Sequence, residues 1–258
     1  DIYKDGDIAE SIFSHCIRAI EKGINIGKNG LPKIGTGDWN DGFSRVGRNG
    51  IGESVWLGFF LYDVLNKFDF ILEYKQEYVK KEKYKEVMHN LKSALNSNGW
   101  DGRWFRRAFT DEGKILGSVQ NDECKIDGIS QSWSVISNAG DNDKKYIAMG
   151  SLENYLVDKE NGLIKLLDPP FENSDLNPGY IQDYLPGTRE NGGQYTHGAI
   201  WAIIAETLLG NSEKAVELYK MINPIEHSKT YELMQKYKVE PYVICADIYG
   251  KGNLAGRG

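Results

Sequence analysis

Apolar residues recur at three- and four-residue intervals along most of this chain, and that period predicts helices. Residues 7–22 place Ile8, Ile12, Phe13, Cys16 and Ile20 on one stripe, the pattern of an amphipathic helix. Glu53 to Tyr74 is apolar nearly all round (Val55, Trp56, Phe59, Phe60, Val64, Leu65, Phe68), which predicts an inner or fully covered helix. Glu77 to Leu95 is charged, with Tyr84, Val87, Met88, Leu91 and Leu95 as its buried stripe. Further helices are predicted to begin at Ser130 and run to Ser137, and over Asn142 to Val157, Gln194 to Leu209, Ser212 to Ile222 and Tyr242 to Tyr249. Gly210 and the pair Asn223-Pro224 supply stop signals.

Convincing strands are few, and residues 27–52 and 162–192 show no helical period at all. Helix bundles use connections of roughly 2 to 8 residues, and much longer loops inside a compact domain usually have a function. An all-α barrel or toroid of paired helices accounts for both facts. Its apolar helices would lie inside and its long loops would converge at one end. No repeat of fixed period supports a solenoid.

Composition narrows the function. With 258 residues and 40% apolar content a sizeable core can form, and a net charge of −6 argues against a nucleic-acid partner. The three cysteines, Cys16, Cys124 and Cys245, are far apart and odd in number, which suggests buried thiols in a reducing compartment. The longest apolar run, Val55 to Tyr62, is too short to span a bilayer. These features fit a cytoplasmic protein without a membrane segment.

Two segments carry candidate chemistry. Gly35-Thr36-Gly37-Asp38-Trp39-Asn40-Asp41-Gly42 packs two carboxylates and an indole into four residues flanked by glycines. Glycine takes positive φ without steric cost, so the segment predicts a tight turn. An indole can cover a pyranose ring, and an apolar wall favours the proton-donating form of a carboxyl group. The plainer alternative is a surface turn in which Asp38 caps a helix. Pro186 to His197 puts Glu190 just before a helix and His197 in or near its first turns, where free N–H groups favour an anion such as phosphate. The plainer alternative there is a core histidine bonded to backbone. His15, His89 and His227 read as structural or solvated, and Trp56, Trp133 and Trp201 as packing. Trp104 and Arg106 are open, and Glu53 reads as a helix start with a site role as the alternative.

Other chemistries fail on spacing. Gly23 to Lys28 has the phosphate-loop interval, but Asn29 replaces the required Ser or Thr. Gly47, Gly50 and Gly52 do not form a dinucleotide fingerprint. No calcium loop or zinc spacing occurs, so no metal is expected.

Several separated pieces together resemble glycoside hydrolase family 94, the inverting β-glycan phosphorylases and the phosphorylase-like region of cyclic β-1,2-glucan synthase. They are Gly30-Leu31-Pro32 through Gly42, Gly52 to Gly58, Cys124 to Asp127 with Ser130 to Trp133, Arg189 to His197, and Val239 to Val243. The Gly-Thr-Gly lead-in and Gly42 look more like the β-1,2-glucan branch. The resemblance implies an (α/α)6 barrel and an enzyme that forms α-glucose 1-phosphate from a β-linked glucan or disaccharide, or runs in reverse. It implies Asp41 as general acid. Trp39 and Glu190 would line the donor-sugar subsite, His197 would contact phosphate, and Arg189, Gln194 and Tyr195 would lie in the same sugar-binding segment. Inorganic phosphate would be the co-substrate, with no cofactor, and a homodimer is a further implication. Residues 1–258 would then be one partial catalytic domain, lacking its first helices, a preceding β-sandwich and its C-terminal end. An inverting hydrolase with Glu190 or Glu53 as base, or a non-catalytic sugar-binding fragment, are the rival readings.

Overall fold

The computed structural model describes residues 10–258 and is mostly helical over them. It contains eight α-helices: α1 (Ile12–Gly23), α2 (Val55–Tyr74), α3 (Tyr78–Ser97), α4 (Gly128–Ile136), α5 (Asn142–Leu156), α6 (Thr196–Leu208), α7 (Ser212–Ile222) and α8 (Tyr231–Tyr237). The part of the first predicted helix before residue 10, with Ile8, lies outside the described residues.

The helices pack as pairs. α2 lies against α3, α4 against α5 and α6 against α7, while α4 also contacts both α2 and α6. The apolar helices α2, α4 and α6 therefore form one layer, with the charged helices α3, α5 and α7 behind them. Every residue of α4 except Ile136 is buried. Three apolar clusters cement this arrangement. Trp56, Phe59, Leu95, Phe105, Ile129 and Trp133 fill the space between α2, α3 and α4. Met149, Leu152, Leu156, Ala199, Ala202, Leu218 and Ile222 do the same for α5, α6 and α7. α1 closes the far side of α2 through Ile17 and Ile20 against Leu61, Leu65 and Phe68. Gly58, inside α2, is explained by packing. A Cβ there would stand 3.0 Å from Leu95 Cδ2 and 3.2 Å from Leu31 Cδ2, so glycine's cost of about 1 kcal/mol in a helix is offset by close approach.

Among the described residues there are nine strands of two residues each: β1 (Glu53–Ser54), β2 (Ala108–Phe109), β3 (Ile115–Leu116), β4 (Ile126–Asp127), β5 (Val157–Asp158), β6 (Leu163–Ile164), β7 (Leu167–Asp168), β8 (Gln194–Tyr195) and β9 (Asp247–Ile248). They pair antiparallel as β1-β2-β3, β4-β7, β5-β6 and β8-β9. β1, β4 and β8 each lead directly into an inner helix. The residue before each inner helix is its N-cap: Ser54 accepts from Leu57 N–H and Asp127 from Ile129 N–H, while Tyr195 provides no side-chain cap. The long loops are thus pinned where the inner helices start.

Two expectations need correction. Tyr242 to Tyr249 is not a helix: it leaves a turn, runs without helical structure and contains β9, whose Ile248 and Asp247 pair with Gln194 and Tyr195. The helix of that region is α8, capped by Thr230, which accepts from Leu233 N–H. The predicted helix from Gln194 starts two residues later, because Gln194 and Tyr195 form β8.

Candidate active site at the starts of the inner helices

The Gly-rich turn holds its shape through its own side chains. Asn40 N–H donates to Asp38 Oδ1 at 3.0 Å, and Gly42 N–H donates to Asn40 Oδ1 at 3.1 Å. Gly35 and Gly37 take φ of +61° and +134°. At Gly37 a Cβ would stand 2.9 Å from Asp41 Cα, so only glycine admits this closure.

Asp38 is not a helix cap. Its side chain is fully buried and takes the guanidinium fork of Arg107, Nη2 to Oδ1 and Nη1 to Oδ2, both at 2.6 Å. Ser54 Oγ donates to Asp38 Oδ2 at 2.7 Å, and Arg107 Nε reaches Asp127 Oδ2 at 3.1 Å. Two carboxylates thus share one cation with almost no side-chain solvent exposure. Asp38 holds the bidentate share. Asp127 keeps a single bond, so burial first, and the nearby Asp38 charge, outweigh Arg107 and push Asp127 up to about 6. Burial opposes the charge of Arg107, but the two carboxylates more than offset it and its pKa is raised.

Asp41 is exposed at the other side of the turn. The segment Pro178–Ile181 packs beneath it: Ile181 N–H donates to Gly42 O at 3.1 Å and Arg45 N–H to Pro178 O at 3.3 Å. Tyr180 lies beside Asp41; burial first, and then the Asp41 carboxylate, push its phenol up to about 12, so the hydroxyl keeps its proton.

Trp39 connects the turn to α6. Its Nε1–H donates to His197 Nδ1 at 3.0 Å. The indole also meets Tyr195 edge-on at 5.4 Å between centroids and Trp201 at 5.1 Å. An indole nitrogen only donates, so Nδ1 of His197 must accept. The neutral ring then carries its proton on Nε2, which leaves a donor free in the first turn of α6. Gly198 in α6 allows a close approach to Leu166, since a Cβ there would stand 2.9 Å from Leu166 Cδ1, whereas the Trp39 ring would be at an ordinary 3.8 Å contact.

Glu190 is buried, with Oε2 3.4 Å from Arg189 Nε. Arg189 is half exposed, takes φ of +49° and lies 4.9 Å from the Tyr184 ring. Tyr195 is raised by burial first and then by Glu190, with Asp41 contributing, so these charges act on one another. Trp39, Tyr195 and His197 are therefore in direct contact, Arg189 pairs with Glu190, and the Asp41 and Glu190 charges are both felt at Tyr195. Gln194 does not join them: it is fully buried, its Oε1 accepts from Ile164 N–H at 2.9 Å and its Nε2 faces Thr196 Oγ1 at 3.4 Å. Its place is in the framework under β8.

Glu53 is also framework. It accepts from Asn29 N–H, Asn29 Nδ2 and Leu31 N–H at 2.9 to 3.1 Å, so it organises the loop before the turn rather than facing a helix dipole. Trp104 is buried and donates to Gly117 O and Lys125 O, and Arg106 pairs with Asp101 at 3.1 Å. Cys124 is buried, whereas Cys16 and Cys245 are only partly so, and all three are free thiols. The sequence reading missed Arg107, Asp127 and Tyr180. The Trp-Arg cluster at 100–107 pointed to the first without revealing its partners. A separate cleft of about 460 Å³, between Lys159, Glu217, Lys220, His227 and Lys236, contains none of the motif residues; Lys159 and Glu217 pair across it at 3.0 Å. Among the described residues no helix is long and apolar enough to cross a membrane.

The chain belongs to the glycosyl hydrolase 94 superfamily, whose catalytic-domain model matches residues 2–258. Among curated proteins it is 43% identical over 262 residues to the cyclic beta-(1,2)-glucan synthase NdvB of Rhizobium meliloti (strain 1021), covering 100% of this chain and 9% of that protein. It is 30% identical over 256 residues to solabiose phosphorylase of Paenibacillus borealis, covering 95% of this chain and 32% of the relative. N,N'-diacetylchitobiose phosphorylase of Vibrio furnissii is 27% identical over 252 residues, 96% of this chain and 30% of the relative. The chain thus spans no more than about a third of the length of these relatives.

Proposed function

We propose that this chain is part of the catalytic domain of an inverting β-glucan phosphorylase or of a synthase using the same chemistry. Phosphate attacks the anomeric carbon while Asp41 protonates the glycosidic oxygen on the opposite side. The products are α-glucose 1-phosphate and a shortened saccharide. In the synthetic direction Asp41 takes the proton of the acceptor hydroxyl. Trp39, Tyr195, Glu190 and Arg189 contact the donor sugar, and His197 donates from Nε2 to phosphate. Positioned proton transfer of this kind contributes about 10² to 10⁴ in rate.

The observation that carries this reading is the Trp39 Nε1–His197 Nδ1 bond of 3.0 Å. It joins the loop bearing the acid to the residue that would hold the nucleophile. An inverting hydrolase would need a second carboxylate to activate water. Glu53 is fully engaged with the 29–31 backbone, and Glu190 faces Arg189. That favours phosphate, which is already an anionic nucleophile. The barrel reading is supported by the alternation of α2, α4, α6 with α3, α5, α7, and by apolar residues left open on two inner helices: Phe60 on α2, and Ile200, Ile204 and Leu208 on α6. Further inner helices of an (α/α)6 barrel would cover them, which supports reading residues 1–258 as one partial domain. The 43% identity to the cyclic glucan synthase favours β-1,2-linked glucose as the sugar.

The test uses the full-length protein with β-1,2-linked glucose oligosaccharides. Glucose 1-phosphate released only when phosphate is added supports the reading. Free glucose released at the same rate without phosphate refutes it in favour of hydrolysis.

A further inference from the structure

Arg107 touches the acid turn at both of its ends. Its fork holds Asp38 at 2.6 Å on one side of Trp39 and Asp41, and its guanidinium carbon lies 4.8 Å from the Phe43 ring centroid on the other. The same group bonds Asp127, the N-cap of α4, at 3.1 Å and Ser54 Oγ, the N-cap of α2, at 3.3 Å. Arg107 itself is fixed through its backbone: its N–H donates to Leu116 O at 2.8 Å and its carbonyl accepts from Val55 N–H at 3.1 Å. Gly117 lets the strands close over it, since a Cβ there would stand 2.5 Å from Arg107 N. The side chain is wholly buried, so it cannot meet sugar or phosphate.

We propose that Arg107 is the positioning residue for the general acid. It clamps residues 38 and 43 onto the starts of two inner helices, so that Asp41 sits at a fixed height above them. This rests on the phosphorylase reading of the site. Burying one cation between two carboxylates is a costly way to gain stability, and apolar replacements of such clusters are often as stable or more so. The geometric return is a planar, bidentate grip that lysine cannot reproduce. A displacement near 1 Å of a reacting group costs about 10²-fold in rate.

The experiment compares two probes in the full-length protein: a β-1,2-linked glucose trisaccharide and 2,4-dinitrophenyl β-glucoside, each with inorganic phosphate. With the trisaccharide, the glycosidic C–O pair leaves on an oxygen that must receive the Asp41 proton. With the dinitrophenyl glycoside, the pair leaves as a stable phenolate and no proton is needed. In both, a new bond forms between the anomeric carbon and a phosphate oxygen. Arg107→Lys is expected to lower kcat on the trisaccharide by about 10²-fold, with KM for phosphate and rate on the dinitrophenyl glycoside held within about threefold. Asp38→Asn, which keeps the shape and one acceptor, is expected to show the same split more weakly and serves if the lysine variant does not fold. Equal losses on both probes in a folded variant would overturn the proposal, because general loosening of the site does not distinguish leaving groups. A wild-type protein that forms no glucose 1-phosphate from either probe would refute the phosphorylase reading itself, and this inference with it.

Discussion

Replacing Trp39 by Phe isolates one interaction at the site. The substitution removes the Nε1–H donor to His197 Nδ1, a 3.0 Å bond, and keeps an aromatic ring among Tyr195 and Trp201. A neutral hydrogen bond contributes about 0.5 to 1.5 kcal/mol net. The bond lies at a partly exposed position, so about 1 kcal/mol is a fair figure, or roughly fivefold in an equilibrium constant. On the phosphate role proposed for His197, that loss should fall on phosphate: without the indole the ring no longer has a fixed tautomer, and its Nε2–H would be aimed at the anion only part of the time. Phosphate KM is therefore expected to rise about three- to tenfold, with kcat changed less. Nitrogen-15 NMR of the imidazole supplies the direct check. The wild type should show a bare Nδ1 and a protonated Nε2 in the neutral ring, and Trp39→Phe should show a mixture. A wild-type ring protonated on Nδ1 would refute the reasoning whatever the kinetics.

Asp41→Asn should cut turnover of the trisaccharide by about 10² to 10⁴ while calorimetry still detects sugar binding; unchanged turnover would remove Asp41 from the role. Asp127 is raised from 3.8 to about 6, so between those values the folded state binds a proton that the unfolded chain has lost. The contribution of this carboxyl to stability is therefore largest below about pH 4, falls as pH rises, and is constant above about 6. The span corresponds to about 3 kcal/mol as an upper figure. Denaturation midpoints of wild type and Asp127→Asn across pH 4 to 7 should diverge in that direction, and parallel curves would contradict it. Leu95→Ala empties a fully buried site between α2 and α3 and should cost about 2 to 5 kcal/mol in chemical denaturation; a loss below about 1 kcal/mol would mean that the paired-helix core is not closely packed at this position.

Periodicity made the helical frame legible because most of these helices bury one continuous stripe. Ser212–Ile222 coincides with the predicted range, and the long apolar run from Glu53 forms the helix Val55–Tyr74, although Phe60, Phe70 and Tyr74 on it are exposed. Tyr242 to Tyr249 failed because its apolar residues are spaced for either structure. The partner that decides, β8, is some fifty residues away and invisible locally. Its neighbour α8 had a readable signal in Thr230, a capping residue ahead of Glu232 and Leu233. The acid turn was legible through its glycines. The anchor was not: Asp38 and Arg107 are 69 positions apart, and an Asp in a Gly-rich turn looks the same whether it faces solvent or a buried guanidinium. Glu53 illustrates the same limit. A carboxylate at a helix start usually serves the dipole, and only the fold reveals that it is gripping residues 29 and 31.

The two-residue strands that precede α2, α4 and α6 have a consequence for how such a protein changes over time. Each ladder fastens a long excursion of chain at its base, so what happens further out is insulated from the helices. Doubling the length of such an excursion costs only about 0.6 kcal/mol in closure entropy. A lineage could therefore remodel the outer parts of these segments while Asp41, the Trp39 indole and the His197 imidazole keep their mutual spacing.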